Sequence, residues 1–233
     1  EKIKEFNPEE VVLLPLYPQF SYSTSGSSIN EWNDICEKEK FKAKTSTICC
    51  YPTDEKFIDA HVSELISKIG KNKREKIIFS AHGLPEKNIK NGDPYQWQVE
   101  KTVESIVKKL NILNLDYILS YQSRVGPLKW IGPSTDEVII KNAKEGKSII
   151  LVPIAFVSEH SETLVELDIE YKKLALDNGC KNYSRVPALG INKHFIEGLC
   201  NLILNKEDYK IREGLFAPKI KCPSNFKKCP CQI

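Results

Sequence analysis

The chain has 233 residues, 41% of them hydrophobic and 28% charged, with a formal net charge of +3. That length supports one large domain or two small ones with a real core. So small a net charge gives no reason to expect a nucleic-acid partner.

No apolar run approaches the roughly 20 residues of a membrane span, and the charged start Glu1-Lys2-Ile3-Lys4-Glu5 is unlike a signal peptide. A cytoplasmic setting is expected, with any membrane contact peripheral to the inner membrane. The chain contains no Met, even at its start, and reads as processed or truncated. Eight cysteines in such a setting point to metal or redox chemistry more than to a disulfide framework.

Taken in chain order, a strand is expected at 11–16, a Ser/Thr/Gly-rich loop at 21–28 and a helix at 28–37. A strand at 47–51 and a helix at 57–69 follow, then a strand at 77–80 and a helix at 95–110. The pattern continues with strand 116–120, helix 135–145, strand 148–153, helix 160–178, a weaker strand 183–188 and helix 193–204. Gly146 and Gly179 stand where C-caps belong. Ser134 or Thr135 is the N-cap before Asp136 and Glu137. The loop at 21–28 could offer donors to an anion, but reads more simply as a strand-to-helix connection.

Strands alternating with helices of this length predict an α/β fold with a doubly wound parallel sheet. Residues 71–210 hold four strands with their crossovers. Residues 1–70 hold one or two strands and read as the remainder of a similar lobe. Residues 211–233 have no clear periodicity and read as a basic, Cys-rich extension.

Three polar clusters follow three expected strands: Ala81-His82-Gly83, Tyr121-Gln122-Ser123-Arg124 and Ile154 through Glu162. Ligands of open α/β sheets bind outside the carboxyl ends of the strands, so neighbouring strands would bring these clusters to one crevice. His82 or His160 alone would more often be a core or capping residue. Together with Glu162 they make a plausible metal-handling set. Glu159, Glu162, Glu166 and Glu170 fall on one face of a helix, which is either a solvated face or a guide for cations. No Gly-rich phosphate loop and no serine-nucleophile elbow is present. His61 and His194 read as structural or surface residues, and Cys36, Cys180 and Cys200 as buried hydrophobes.

The ordered segments YPQFSYST with GSS, SAHGLP with GDPY, QSRVGP through WIGPSTD, and VPIAF through EHSETL to ELDIE resemble the ferrochelatases. The resemblance runs over nearly the whole chain. It implies two Rossmann-like lobes, the first incomplete, and insertion of ferrous iron into a porphyrin, protoporphyrin IX to protohaem, in haem biosynthesis. About a third of the usual sequence, at its start, is absent. The resemblance assigns catalysis and the iron substrate to His82 and Glu162. It assigns a porphyrin pocket to Gln122, Ser123, Trp130 and Phe156, and an acidic channel to Glu159, His160, Glu166 and Glu170.

Cys222, Cys229 and Cys231 (C-x₆-C-x-C) resemble the tail of ferrochelatases that carry a [2Fe–2S] cluster, whose fourth ligand would be Cys49 or Cys50. Zinc or a flexible reduced tail stays open. So do a related tetrapyrrole chelatase with another metal or substrate, and an inactive porphyrin-binding remnant.

Overall fold

The computed structural model describes residues 2–70, 75–218 and 221–232; the expected boundary after residue 70 abuts 71–74, which lie outside the described residues. Two four-stranded sheets form the frame. One contains β3 (Lys76–His82), β4 (Tyr117–Gln122), β5 (Ile149–Pro153) and β6 (Tyr183–Arg185), all parallel, in the order β4-β3-β5-β6. The other contains β1 (Glu10–Leu13), β2 (Lys44–Ile48), β7 (Lys210–Arg212) and β8 (Leu215–Phe216), in the order β1-β2-β8-β7. In this second sheet β1, β2 and β8 are parallel and β7 runs antiparallel.

The helices are α1 (Lys2–Phe6), α2 (Ser27–Lys38), α3 (Glu55–Ile66), α4 (Glu86–Lys90), α5 (Tyr95–Leu110), α6 (Thr135–Lys144), α7 (Tyr171–Asp177) and α8 (Lys193–Leu204). Asp54 caps α3 through a carboxylate oxygen that accepts the Phe57 N–H, and Asn192 caps α8 through its amide oxygen, which accepts the His194 N–H. Ser134 is the residue before α6, with its backbone extended.

β3 is central in its sheet and reads as a continuous apolar run because it is covered on both faces. Ile77, Phe79 and Ala81 face one buried cluster and Ile78 faces another. The first cluster also takes Ile48 and Phe216 from the other sheet and Phe57 from α3, so one core ties the two sheets together. The second joins β3 and β5 to α6 and α7 through Leu151, Ile139 and Ala175.

Several expectations change. Residues 211–233 were expected to be an extension, yet Leu215 and Phe216 lie beside β2 and are buried. A strand of two residues carries no periodicity, and its pairing with residues 47–48 is a long-range event. The helix expected at 160–178 begins as a π-helix, Glu162–Glu170, and becomes α-helical only from Tyr171. Of the three cysteines expected to be buried, Cys180 is buried, Cys36 half-buried and Cys200 exposed. His61 is buried against Phe57, with ring centroids 4.7 Å apart.

Candidate active site

His82 is the last residue of β3 and stands opposite Gln122 at the end of β4. Gly83 follows it where neighbouring groups come close. A Cβ there would lie 3.0 Å from the Gln122 carbonyl oxygen and 3.2 Å from Trp130. The His82 carbonyl accepts a hydrogen bond from the Tyr95 hydroxyl at 2.9 Å. Its Nδ1 lies 2.7 Å from the Gly83 carbonyl oxygen. A carbonyl can only accept, so Nδ1 carries a proton, and in the neutral ring Nε2 is the nitrogen with the free lone pair. That nitrogen faces Glu162 Oε2 at 3.8 Å.

Glu162 opens the π-helix, a form often found at functional sites. One turn later Glu166 accepts four hydrogen bonds. Its Oε1 receives the Ser123 N–H at 3.1 Å and the Tyr171 hydroxyl at 2.8 Å; its Oε2 receives Gln122 Nε2 at 3.1 Å and the Ser123 hydroxyl at 2.7 Å. Ser123 has a left-handed backbone, φ +59°. Gln122 is held from its other end, because Ser80 donates to its Oε1 at 2.6 Å. The Tyr171 hydroxyl is pushed far up by burial and by the Glu166 charge, so it acts as a donor.

Two cavities meet at His82 and Glu162. The larger, about 890 Å³, is lined by Gln122, Ser123, Trp130, Glu166 and Glu170 besides that pair. The smaller, about 490 Å³, takes Phe156 and His160 with Tyr17, Ser21 and Tyr95. Both fall in the size range of small-molecule sites. His160 packs on Phe156, with ring centroids 4.7 Å apart, and its Nδ1 accepts the Glu162 N–H at 3.2 Å.

Glu159, expected in the acid row, lines neither cavity. It precedes the π-helix and is held by Arg185 at 2.9 Å and the Ala188 N–H at 2.9 Å. Burial raises the Glu159 carboxyl, but the Thr163 side chain, these bonds and the Arg185 charge outweigh it and hold it below its ordinary range. The stretch expected as a loop at 21–28 contains a π-helix, Tyr22–Gly26, that runs into α2, and two of its donors, the Ser21 hydroxyl and the Tyr22 N–H, go to Asp93. Sequence reasoning missed Tyr95, Tyr171 and Arg185 as supports of the site. Tyr95 was visible within GDPY, while the other two carry no local signal.

The tail folds back near residues 49–50. Cys49, Cys50, Cys222, Cys229 and Cys231 lie close enough to shift one another's acidity. Their mutual contact holds the Cys229 thiol well below its ordinary range and pushes Cys222 and Cys231 up. Among the described residues no group of three or more His, Cys, Asp or Glu side chains is arranged to hold a metal ion. None of the helices among those residues is long and apolar enough to cross a membrane.

The ferrochelatase family model matches residues 1–207. Ferrochelatase of Pelagibacter ubique (strain HTCC1062) is 68% identical over 229 residues, which is 98% of this chain and 67% of that protein. Ferrochelatase of Rickettsia felis is 50% identical over 237 residues, 100% of this chain and 67% of that one. Among solved structures, SirB from Bacillus subtilis with Fe3+ matches with a TM-score of 0.62 and 14% identity, over 87% of this chain and 73% of that chain. At that identity the likeness is one of fold.

Proposed function

The chain belongs to the ferrochelatase family, and from that premise we propose that it inserts ferrous iron into a porphyrin to make protohaem. The single observation that carries the site assignment is His82 Nε2 facing Glu162 at 3.8 Å where the two cavities join. Insertion exchanges two pyrrole protons for one Fe2+. His82 Nε2 is the base that takes a pyrrole proton. Glu162, 3.8 Å away, receives protons from it or faces the incoming iron. Glu170 and His160 line the approaches on either side. Trp130 and Phe156 supply flat apolar walls that suit a macrocycle. Gln122, Ser123 and Glu166 form the bonded wall that keeps this shape.

The test is the His82→Ala variant. It should lose iron insertion by at least a hundredfold while still quenching porphyrin fluorescence on binding. Near-normal insertion would overturn the role given to His82. Assays with other metals and other tetrapyrroles separate this reading from that of a related chelatase.

The same reading extends to the tail, where Cys222, Cys229, Cys231 and one of Cys49 or Cys50 would hold a [2Fe–2S] cluster. Four thiolates bind such a cluster, a pair to each iron, so the sulfurs need not converge on one point. Five thiols close enough to shift one another's acidity suit that donor chemistry. The setting we propose is the cytoplasm, with any membrane contact peripheral. The division into lobes at 1–70 and 71–210 belongs to the same reading, with residues 215–216 supporting the first.

A further inference from the structure

Gln98 lies on α5, fully buried, away from both cavities, and no part of the metallation chemistry uses it. Its Oε1 accepts the Phe20 N–H at 2.7 Å. A backbone N–H can only donate, so the orientation of this amide is fixed and its NH₂ must face the other way. On that side are two sulfurs, Cys222 at 3.3 Å and Cys50 at 3.5 Å. Both N–H donors of a buried amide thus go to sulfur. A neutral thiol is a weak acceptor, so this arrangement stabilises little unless those sulfurs carry negative charge.

Resting on the cluster reading above, we propose that Gln98 is the positioning residue of the thiol site. It donates one N–H to Cys50 and one to Cys222 and thereby stabilises the reduced, more negative cluster. Hydrogen bonds to ligand sulfurs are one of the levers by which a protein sets a cluster's potential. The same amide joins the site to the pocket wall. Phe20, which it holds, sits between Gln19 and Ser21, and those two residues line the smaller cavity. Gln19 in turn donates to Thr102, one turn along α5 from Gln98.

The test uses the full chain, reconstituted anaerobically with ferrous iron and sulfide, with Gln98→Leu and Gln98→Glu beside the parent. Gln98→Glu keeps an acceptor for Phe20 but loses both donors; Gln98→Leu loses all three bonds. The parent should show the visible absorption and reduced-state electron spin resonance of the cluster. Both variants should lower its midpoint potential or lose it on reduction while keeping the parent's circular dichroism. An unchanged potential in both variants overturns the proposal. A shift in Gln98→Leu alone assigns Gln98 to holding Phe20 and overturns it too. A parent without cluster absorption overturns both this inference and the cluster reading, which distinguishes the two failures.

Should the variants not fold, the parent decides. With ¹⁵N-labelled glutamine in a Gln232→Glu background, which removes the other amide near Cys222, a hyperfine coupling from ¹⁵N to the reduced cluster supports the proposal. Its absence overturns it.

Discussion

His61 is buried with neither ring nitrogen bonded. Desolvation alone pushes its imidazole down to about 3. Its folded-state affinity for protons is therefore lower than that of the unfolded chain, near 6.5. Between those values the unfolded state binds the proton and the folded state does not. Stability is complete above the upper limit and falls as pH drops through the window, by at most about 5 kcal/mol. The variant His61→Leu removes that liability. Urea midpoints at neutral pH and at about pH 4.5 should show the parent losing about 2–3 kcal/mol more than the variant. Equal acid losses would sink the argument. The sequence marked His61 as structural or surface from its place in an amphipathic helix, and a motif marked His82. The feature that separates them is invisible in composition: His82 has a carbonyl at Nδ1 and a carboxylate at Nε2, and His61 has neither.

The π-helix Glu162–Glu170 turns the acid row into a set of unequal positions. Its wider ladder is explicit at its end, where the Tyr171 N–H bonds to the Glu166 carbonyl, five residues back. Glu166 is also fully bonded through its side chain, and its partners include a left-handed Ser123. Its role is then to fix the pocket wall. In Glu166→Gln, an NH₂ replaces one acceptor oxygen and faces donors that it cannot satisfy. The variant should lose about 1–3 kcal/mol of stability and bind porphyrin about tenfold more weakly, a 1.4 kcal/mol effect. The KM for iron should move less. A raised iron KM with unchanged porphyrin affinity would instead make Glu166 a cation carrier. Spacing alone could place 162, 166 and 170 on one side, and all three do line the larger cavity. It could not separate an i→i+4 ladder from an i→i+5 one, nor foresee that Arg185 on β6 would take Glu159 out of the row.

At the scale of the molecule, the parallel sheet β4-β3-β5-β6 was legible because each strand follows its helix at a regular interval. The second sheet was legible only in part. Its β8 is two residues long and joins β2 from the far end of the chain, so nothing local announces it. Yet β8 is central, between β2 and β7, and Phe216 is 1% exposed within the cluster that also holds Phe57, Phe79 and Val152. That shared core makes the two sheets one cooperative unit rather than a stable lobe with a loose attachment. Phe216→Ala leaves a cavity in it and should cost about 3–5 kcal/mol. Because the core is continuous, the loss should reach both sheets. Trp32 reports on the side of β2, through its bond to Thr45, and Trp130 on the end of β3. Single-tryptophan versions carrying one or the other should unfold in urea at the same midpoint, shifted downward together by the substitution. A midpoint that falls for Trp32 and stays for Trp130 would mean that the β3 sheet folds alone. In that case the tail would brace only the wall of the smaller cavity that residues 17–24 supply.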